Sequence, residues 1–150
     1  MSQSLAKIYV HAIFSTKQRV TCLYPELCAE LYPYAATVLK NMDCSPIQIG
    51  GVSDHLHILC AMSKHLKLID FIAEIKRPTS KWVKTQGAAL RNFSWQSGYG
   101  AFSVSQSQVE RVRNYIVTQT EHHRRRTFQE EFRAFLKRYQ IEYDERYVWD

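Results

Sequence analysis

A chain of 150 residues with a net charge of +6 and a pI near 9.2 is long enough for one domain with its own core, expected to bury about 70% of the surface its unfolded chain exposes. With 45% hydrophobic and 23% charged residues it is neither a disordered nor a low-complexity chain, and no apolar run approaches the ~20 residues of a membrane span. The positive balance either serves solubility or fits a polyanionic partner, since each neutralised phosphate releases a condensed counterion.

Residues 7–15, K-I-Y-V-H-A-I-F-S, are rich in β-branched and aromatic side chains and read as a first strand. Lys17, Gln18 and Arg19 follow as a polar loop. From 25 to 42 the apolar residues Leu27, Leu31, Tyr34, Ala35, Val38, Leu39 and Met42 recur at helical spacing. Pro33 predicts a kink there, or a separate first turn. A short strand over 45–49 leads through Gly50-Gly51, read as the turn of a hairpin, into S-D-H-L-H-I-L-C-A-M at 53–62.

Side chains alternate along a strand, so His55 and His57 share one face while Leu56, Ile58 and Cys60 share the other. The aliphatic face suits the core. The imidazole face then holds two nitrogen ligands within reach of one cation. The plain alternative is one hydrogen-bonded core histidine and one at a sheet edge.

A helical period resumes over 68–85 through Leu68, Ile69, Ile72, Ile75, Trp82 and Val83, and Pro78 predicts a kink or a fresh start near Thr79. Lys76, Arg77, Lys81 and Lys84 on its polar side form either a phosphate-binding surface or a solvated face. Residues 93–99 are too rich in Gly and Ser for regular structure, and 102–105 suit an edge strand. Ser107 and Glu110 fit a capping box, so a helix is expected from there through Val109, Val112, Ile116 and Val117 to about His123. The cluster His122, His123 and Arg124 to Arg126 suits the negative end of that helix dipole. A last amphipathic helix over 128–139 carries Phe128, Phe132, Phe135 and Leu136. The tail 140–150, with Tyr143, Tyr147, Val148 and Trp149, is expected to dock. Cys22, Cys28, Cys44 and Cys60 form no C-x-x-C pair and follow no secretory signal, which predicts reduced thiols in a cytoplasm.

The order strand, helix, strand, strand, helix, strand, then two helices is an α+β pattern. It predicts a ferredoxin-like split βαβ domain over 1–150, an antiparallel sheet with helices on one face plus two C-terminal helices.

Tyr115 and Gln119 lie one helical turn apart on one face. If that face packs over His55 and His57, three metal ligands and a phenol nucleophile stand together. Two nitrogens and a neutral oxygen leave open positions on an octahedral ion such as Mg²⁺ or Mn²⁺, where a phosphate oxygen binds.

Five stretches carry a resemblance to a known family: V-H-A-I-F-S-T-K-Q-R from Val10, D-H-L-H-I-L from Asp54, W-Q-S-G-Y-G-A-F-S-V-S from Trp95, N-Y-I-V-T-Q-T-E-H-H from Asn114, and the C-terminal F-L-K-R-Y-Q-I-E-Y-D-E-R-Y-V-W-D. The sequence resembles the single-tyrosine HUH transposases of bacterial insertion sequences and their REP-associated relatives. The resemblance implies metal ligation by His55, His57 and Gln119, with Tyr115 as the nucleophile that takes a 5′ phosphate. It further implies a homodimer that uses Mg²⁺ or Mn²⁺ to cleave and rejoin single-stranded DNA beside a hairpin, in a bacterial cytoplasm on nucleoid DNA. Lys17, Arg19, Lys76, Arg77, Lys81 and Lys84 are the basic residues placed to contact that DNA. His11 also matches a family position, and a structural role is the default for it. Three other readings stand beside this one: a ferredoxin-like module that binds single strands without cutting, a domesticated repeat-processing enzyme with the same chemistry, and a metal hydrolase in which water replaces Tyr115.

Overall fold

The computed structural model describes residues 2–150. Strands β1 (Tyr9–Ser15), β2 (Ser45–Val52), β3 (His55–Ala61) and β4 (Gly100–Val104) form one antiparallel sheet in the order β2-β3-β1-β4. Helices α1 (Pro25–Asn41) and α2 (Leu68–Lys84) provide the two crossovers of the split βαβ pattern. The remaining helices are α3 (Val109–Val117), α4 (Gln119–His122) and α5 (Phe128–Arg138).

Alternation along the two central strands separates two cores. Val10, Ala12, Phe14, Leu56, Ile58 and Cys60 face α1 and α2, where Leu31, Leu39, Phe71 and Ile75 complete the larger cluster. On the other sheet face Ile13 and Phe102 meet Phe128, Phe132 and Leu136 of α5, and Leu59 and Val104 meet Val109 and Ile116 of α3. Each fully buried side chain of this size contributes about 1.5–3 kcal/mol. His11, His55 and His57 sit among this second set, between the sheet and the C-terminal helices.

Several local expectations need correction. Gly50 and Gly51 are not the hairpin turn. They pair within β2, opposite His57 and Leu56, and the turn is Ser53-Asp54. The reason for a glycine at 50 is close approach: an added Cβ would lie 2.9 Å from both the carbonyl oxygen and the Cγ2 methyl of Ile116. Pro33 and Pro78 neither split α1 nor α2. The carbonyls they leave without an amide partner belong to Ala29 and Glu74, both exposed residues on the solvent side of their helices. Ser107 is not a cap. It lies in a 3-10 turn with its hydroxyl on that of Ser105, and the capping box of this chain is Thr127 with Glu130 at the start of α5.

The predicted helix from 107 to about 123 is broken at Thr118, whose backbone leaves helical values at φ −97° and ψ 24°. Of the tail, Trp149 packs on Phe128 and Phe132 under the Arg133 guanidinium, whereas Tyr143 and Tyr147 stay exposed. All four cysteines are free thiols. No helix among the described residues is long and apolar enough to cross a membrane.

Candidate active site

β3 presents His55 and His57 to the C-terminal helices, and both rings are fully buried. α3 approaches β2 through the gap at Gly50 and so holds Tyr115 over the same face, 5.9 Å between its ring centre and that of His57. The break at Thr118 does not separate Tyr115 from Gln119. The Thr118 hydroxyl donates to the Asn114 carbonyl, and both Tyr115 and Gln119 still point inward. Gln119 Oε1 lies 3.2 Å from His55 Nε2. The two imidazoles, the phenol and the amide expected from the sequence are thus brought together within one chain.

The centre of the group is a residue that pattern reading missed. Glu131, on α5, is 1% exposed. Its Oε1 accepts from His57 Nε2 at 3.0 Å and lies 3.3 Å from His55 Nε2. Its Oε2 lies 3.1 Å from His123 Nε2 and accepts from the Gln119 amide at 3.3 Å and from the Tyr115 hydroxyl. The signal available was position: Glu131 lies in the Phe128, Phe132, Phe135 stripe of α5, and a carboxylate on an apolar face must find partners. His123 needs the same correction, because it turns into the site rather than capping a dipole.

Two further residues orient the rings. Asp54 Oδ1 lies 2.7 Å from His55 Nδ1. His11 Nε2 lies 2.8 Å from His57 Nδ1, so a single proton lies between those two rings and their tautomers are linked. When His57 Nε2–H donates a hydrogen bond to Glu131, its Nδ1 accepts from His11. When His57 Nε2 is a bare lone pair, Nδ1–H donates to His11 instead.

Burial alone would raise the Glu131 carboxyl, but bonds from His123, His55 and His57 hold it far below the usual range, so it is ionised. Burial likewise opposes charge on His55, yet Asp54 and Glu131 outweigh it and lift its pKa to about 9. Burial keeps His57 and His11 neutral, with pKa values below the ordinary imidazole. Burial and then the Glu131 charge push the Tyr115 phenol well above its ordinary value, so without a compensating cation it stays protonated.

Nitrogens of His55, His57 and His123 and a Glu131 oxygen all lie within 4.8 Å of one another. The separations of His55 Nε2, His57 Nε2, Gln119 Oε1 and Glu131 Oε1 given above, 3.0, 3.2 and 3.3 Å, are near the edge of about 3 Å between neighbouring ligands of an octahedral ion bound at ~2.1 Å. The donor set therefore fits a divalent cation.

The basic residues divide. Lys17 and Arg19 follow β1 at the end where Ser15 pairs with His55. α2 packs on the opposite sheet face, so Arg77, Lys81 and Lys84 are separated from the imidazoles by the sheet. Lys76 is not a free cation: its ammonium donates to the carbonyls of Gln96, Ser97 and Gly98 at 2.8, 3.2 and 2.6 Å.

The antiparallel sheet with its helices defines a class: it has a fold similar to that of a tyrosine transposase. The chain belongs to the IS200-like transposases, a family of DNA recombination enzymes, whose model matches residues 4–119. Two solved structures share the fold. One is a protein assigned as a transposase from Deinococcus radiodurans R1, at 18% identity and TM-score 0.62, covering 79% of this chain and 98% of that one. The other is a REP-associated tyrosine transposase bound to a REP hairpin, at 14% identity and TM-score 0.59, covering 82% and 74%. No curated protein matches the sequence. His123 and Glu131 lie beyond the stretch that the family model covers.

Proposed function

We propose that this chain cleaves and rejoins single-stranded DNA through a 5′-phosphotyrosine on Tyr115, with His55, His57 and Gln119 holding a divalent cation, Mg²⁺ or Mn²⁺. The observation that carries the reading is that one carboxylate, Glu131, touches the nucleophile with one oxygen and the imidazole pair with the other. In the cleavage step the Tyr115 oxygen attacks phosphorus and the bond from phosphorus to the 3′ oxygen breaks. With the imidazole nitrogens turned to a cation, Glu131 would lose the bonds that hold its pKa down and its Oε2 would receive the phenolic proton, while the departing 3′ oxygen takes up a proton to leave as a hydroxyl. An ordinary phenol costs about 4 kcal/mol to ionise at pH 7, and burial adds to that cost here. The cation would offset it, polarise the phosphodiester and steady the leaving oxygen. A phenolate leaves more readily than an alkoxide, so an incoming 3′ hydroxyl reverses the step without ATP.

His11 and Asp54 keep the two imidazoles oriented. His123 and Glu131 extend the donor set and tie α5 to the site. Lys17 and Arg19 contact the strand near His55, whereas Arg77, Lys81 and Lys84 meet DNA only away from the cleavage point. The REP-hairpin complex of the similar fold supports a hairpin beside the cleavage site. One chain carries one nucleophile, so joining two ends calls for a homodimer. The test is a labelled single strand incubated with protein and Mn²⁺. A covalent adduct lost with EDTA or Tyr115→Phe is expected; an adduct that Tyr115→Phe still forms refutes the assignment, and binding indifferent to EDTA and to His57→Ala with no adduct favours a non-cutting module.

A further inference from the structure

Beside the site lies a cavity of about 540 Å³ between the free edge of β4 and helices α3 and α5. Tyr115 and Glu131 form its inner end, Phe135 and Tyr139 one wall, and Arg111, Arg126 and Arg138 are on its lining. The proposed chemistry uses the inner end only.

Three observations indicate the occupant. The first is charge. Arg77, Arg113, Arg124, Arg133 and Arg146 are each paired with a carboxylate; of the six arginines without an ion-pair partner among the described residues, Arg19, Arg91, Arg111, Arg125, Arg126 and Arg138, three are on the lining of this one cavity. Three unpaired guanidinium groups around one cavity suit a phosphate. The only carboxylate on the lining, Glu131, is taken up by the imidazoles and the phenol.

The second is surface chemistry. Phe135 stacks on Phe102 with 5.3 Å between ring centres, and the Arg138 guanidinium lies over the Phe135 ring, 5.8 Å from its centroid, so the stack is capped by a planar cation that can itself stack with a base. β4 has a strand neighbour on one side only, and residues 103–105 at its end reach the cavity, where the Tyr139 hydroxyl donates to the Ser103 carbonyl at 2.8 Å. The third is size: the volume lies within the range of small-ligand pockets, about 300–1,000 Å³, and suits one nucleotide rather than a duplex.

We infer that this cavity is a nucleotide subsite, which holds the deoxynucleotide adjoining the phosphate that Tyr115 attacks, with its base against the Phe135–Arg138 pair and its phosphate among the arginines of the lining. The inference rests on the single-stranded DNA reading for its biological meaning. Its test does not. The four deoxynucleoside 5′-monophosphates and inorganic phosphate are titrated, in EDTA, into wild-type protein and followed by NMR chemical shifts. At least one nucleotide is expected to bind tenfold or more tightly than inorganic phosphate. Ala134→Trp, which fills the cavity from an exposed position on α5, and the double variant Arg111→Ala/Arg138→Ala are each expected to weaken it tenfold or more, with unchanged circular dichroism. Equal affinity for phosphate and nucleotides, or full affinity in both variants, overturns the subsite. A wild type that forms the Tyr115 adduct but fails this titration keeps the proposed function and loses the subsite; the reverse result keeps the subsite alone.

Discussion

Gly50→Ala tests whether the approach of α3 to β2 sets the position of the nucleophile. The new Cβ would stand 2.9 Å from the carbonyl oxygen and Cγ2 of Ile116, where ordinary contact begins near 3.4 Å. The Cγ2 methyl can rotate aside, but the carbonyl belongs to the helix backbone. α3 must therefore recede by roughly 0.5–1 Å at the residue next to Tyr115. Overpacking of this kind costs about 1–3 kcal/mol, which lowers Tm by roughly 3–10 °C for a domain of this length. A displacement approaching 1 Å at a reacting group costs up to about 10²-fold in rate. We therefore expect single-turnover adduct formation with Mn²⁺ to slow about ten- to a hundredfold, measured well below the variant's Tm, while Val117→Ala on the exposed side of α3 has no effect. Gly50→Ala/Ile116→Ala relieves the methyl clash but not the carbonyl clash and should recover only part of the rate. A Gly50→Ala variant with a lowered Tm but the wild-type rate would refute the claim that this glycine positions Tyr115.

Glu131→Gln keeps the shape of the buried carboxylate but cannot accept the phenolic proton; adduct formation is expected to fall about 10²-fold or more, with an altered pH profile, and an unchanged rate removes Glu131 from the proton path. In EDTA, His55 has a folded pKa raised from 6.5 to about 9, so its stabilising contribution is full below pH 6.5 and is lost as pH rises to about 9. At about 1.4 kcal/mol per pH unit that contribution is about 3 kcal/mol. Urea unfolding at both ends of the interval should show wild-type stability falling toward that of Asp54→Asn as pH rises, and a constant gap between them contradicts the ion pair. Lys76→Met removes three charge-assisted bonds to residues 96–98 from a half-buried position and is expected to cost about 2 kcal/mol without changing the adduct rate at low temperature. Lost affinity for single strands with unchanged thermal stability would return Lys76 to the DNA-contacting set.

The extended runs of β1 and β3, the helical periods of α1, α2 and α5 and the order of these elements were all legible from side-chain periodicity. That property is local, and it follows from the alternation of strands and the turn of helices. His55 and His57 share a face for the same reason. The glycine at 50 was visible but its purpose was not, since a close approach depends on an element more than sixty residues later. The break at Thr118 and the turn at Ser107 likewise departed from a pattern that looked continuous. Which polar residues meet is a long-range matter. Glu131 reaches His55 and His57 only because α5 folds back across the second sheet face, and His123 because the break at Thr118 redirects the turn before it; no spacing along the chain records either path. Sequence alone determined the strands β1 and β3, the helices α1, α2 and α5 and the paired rings on one strand; packing across the sheet decided that a single buried carboxylate joins them to Tyr115.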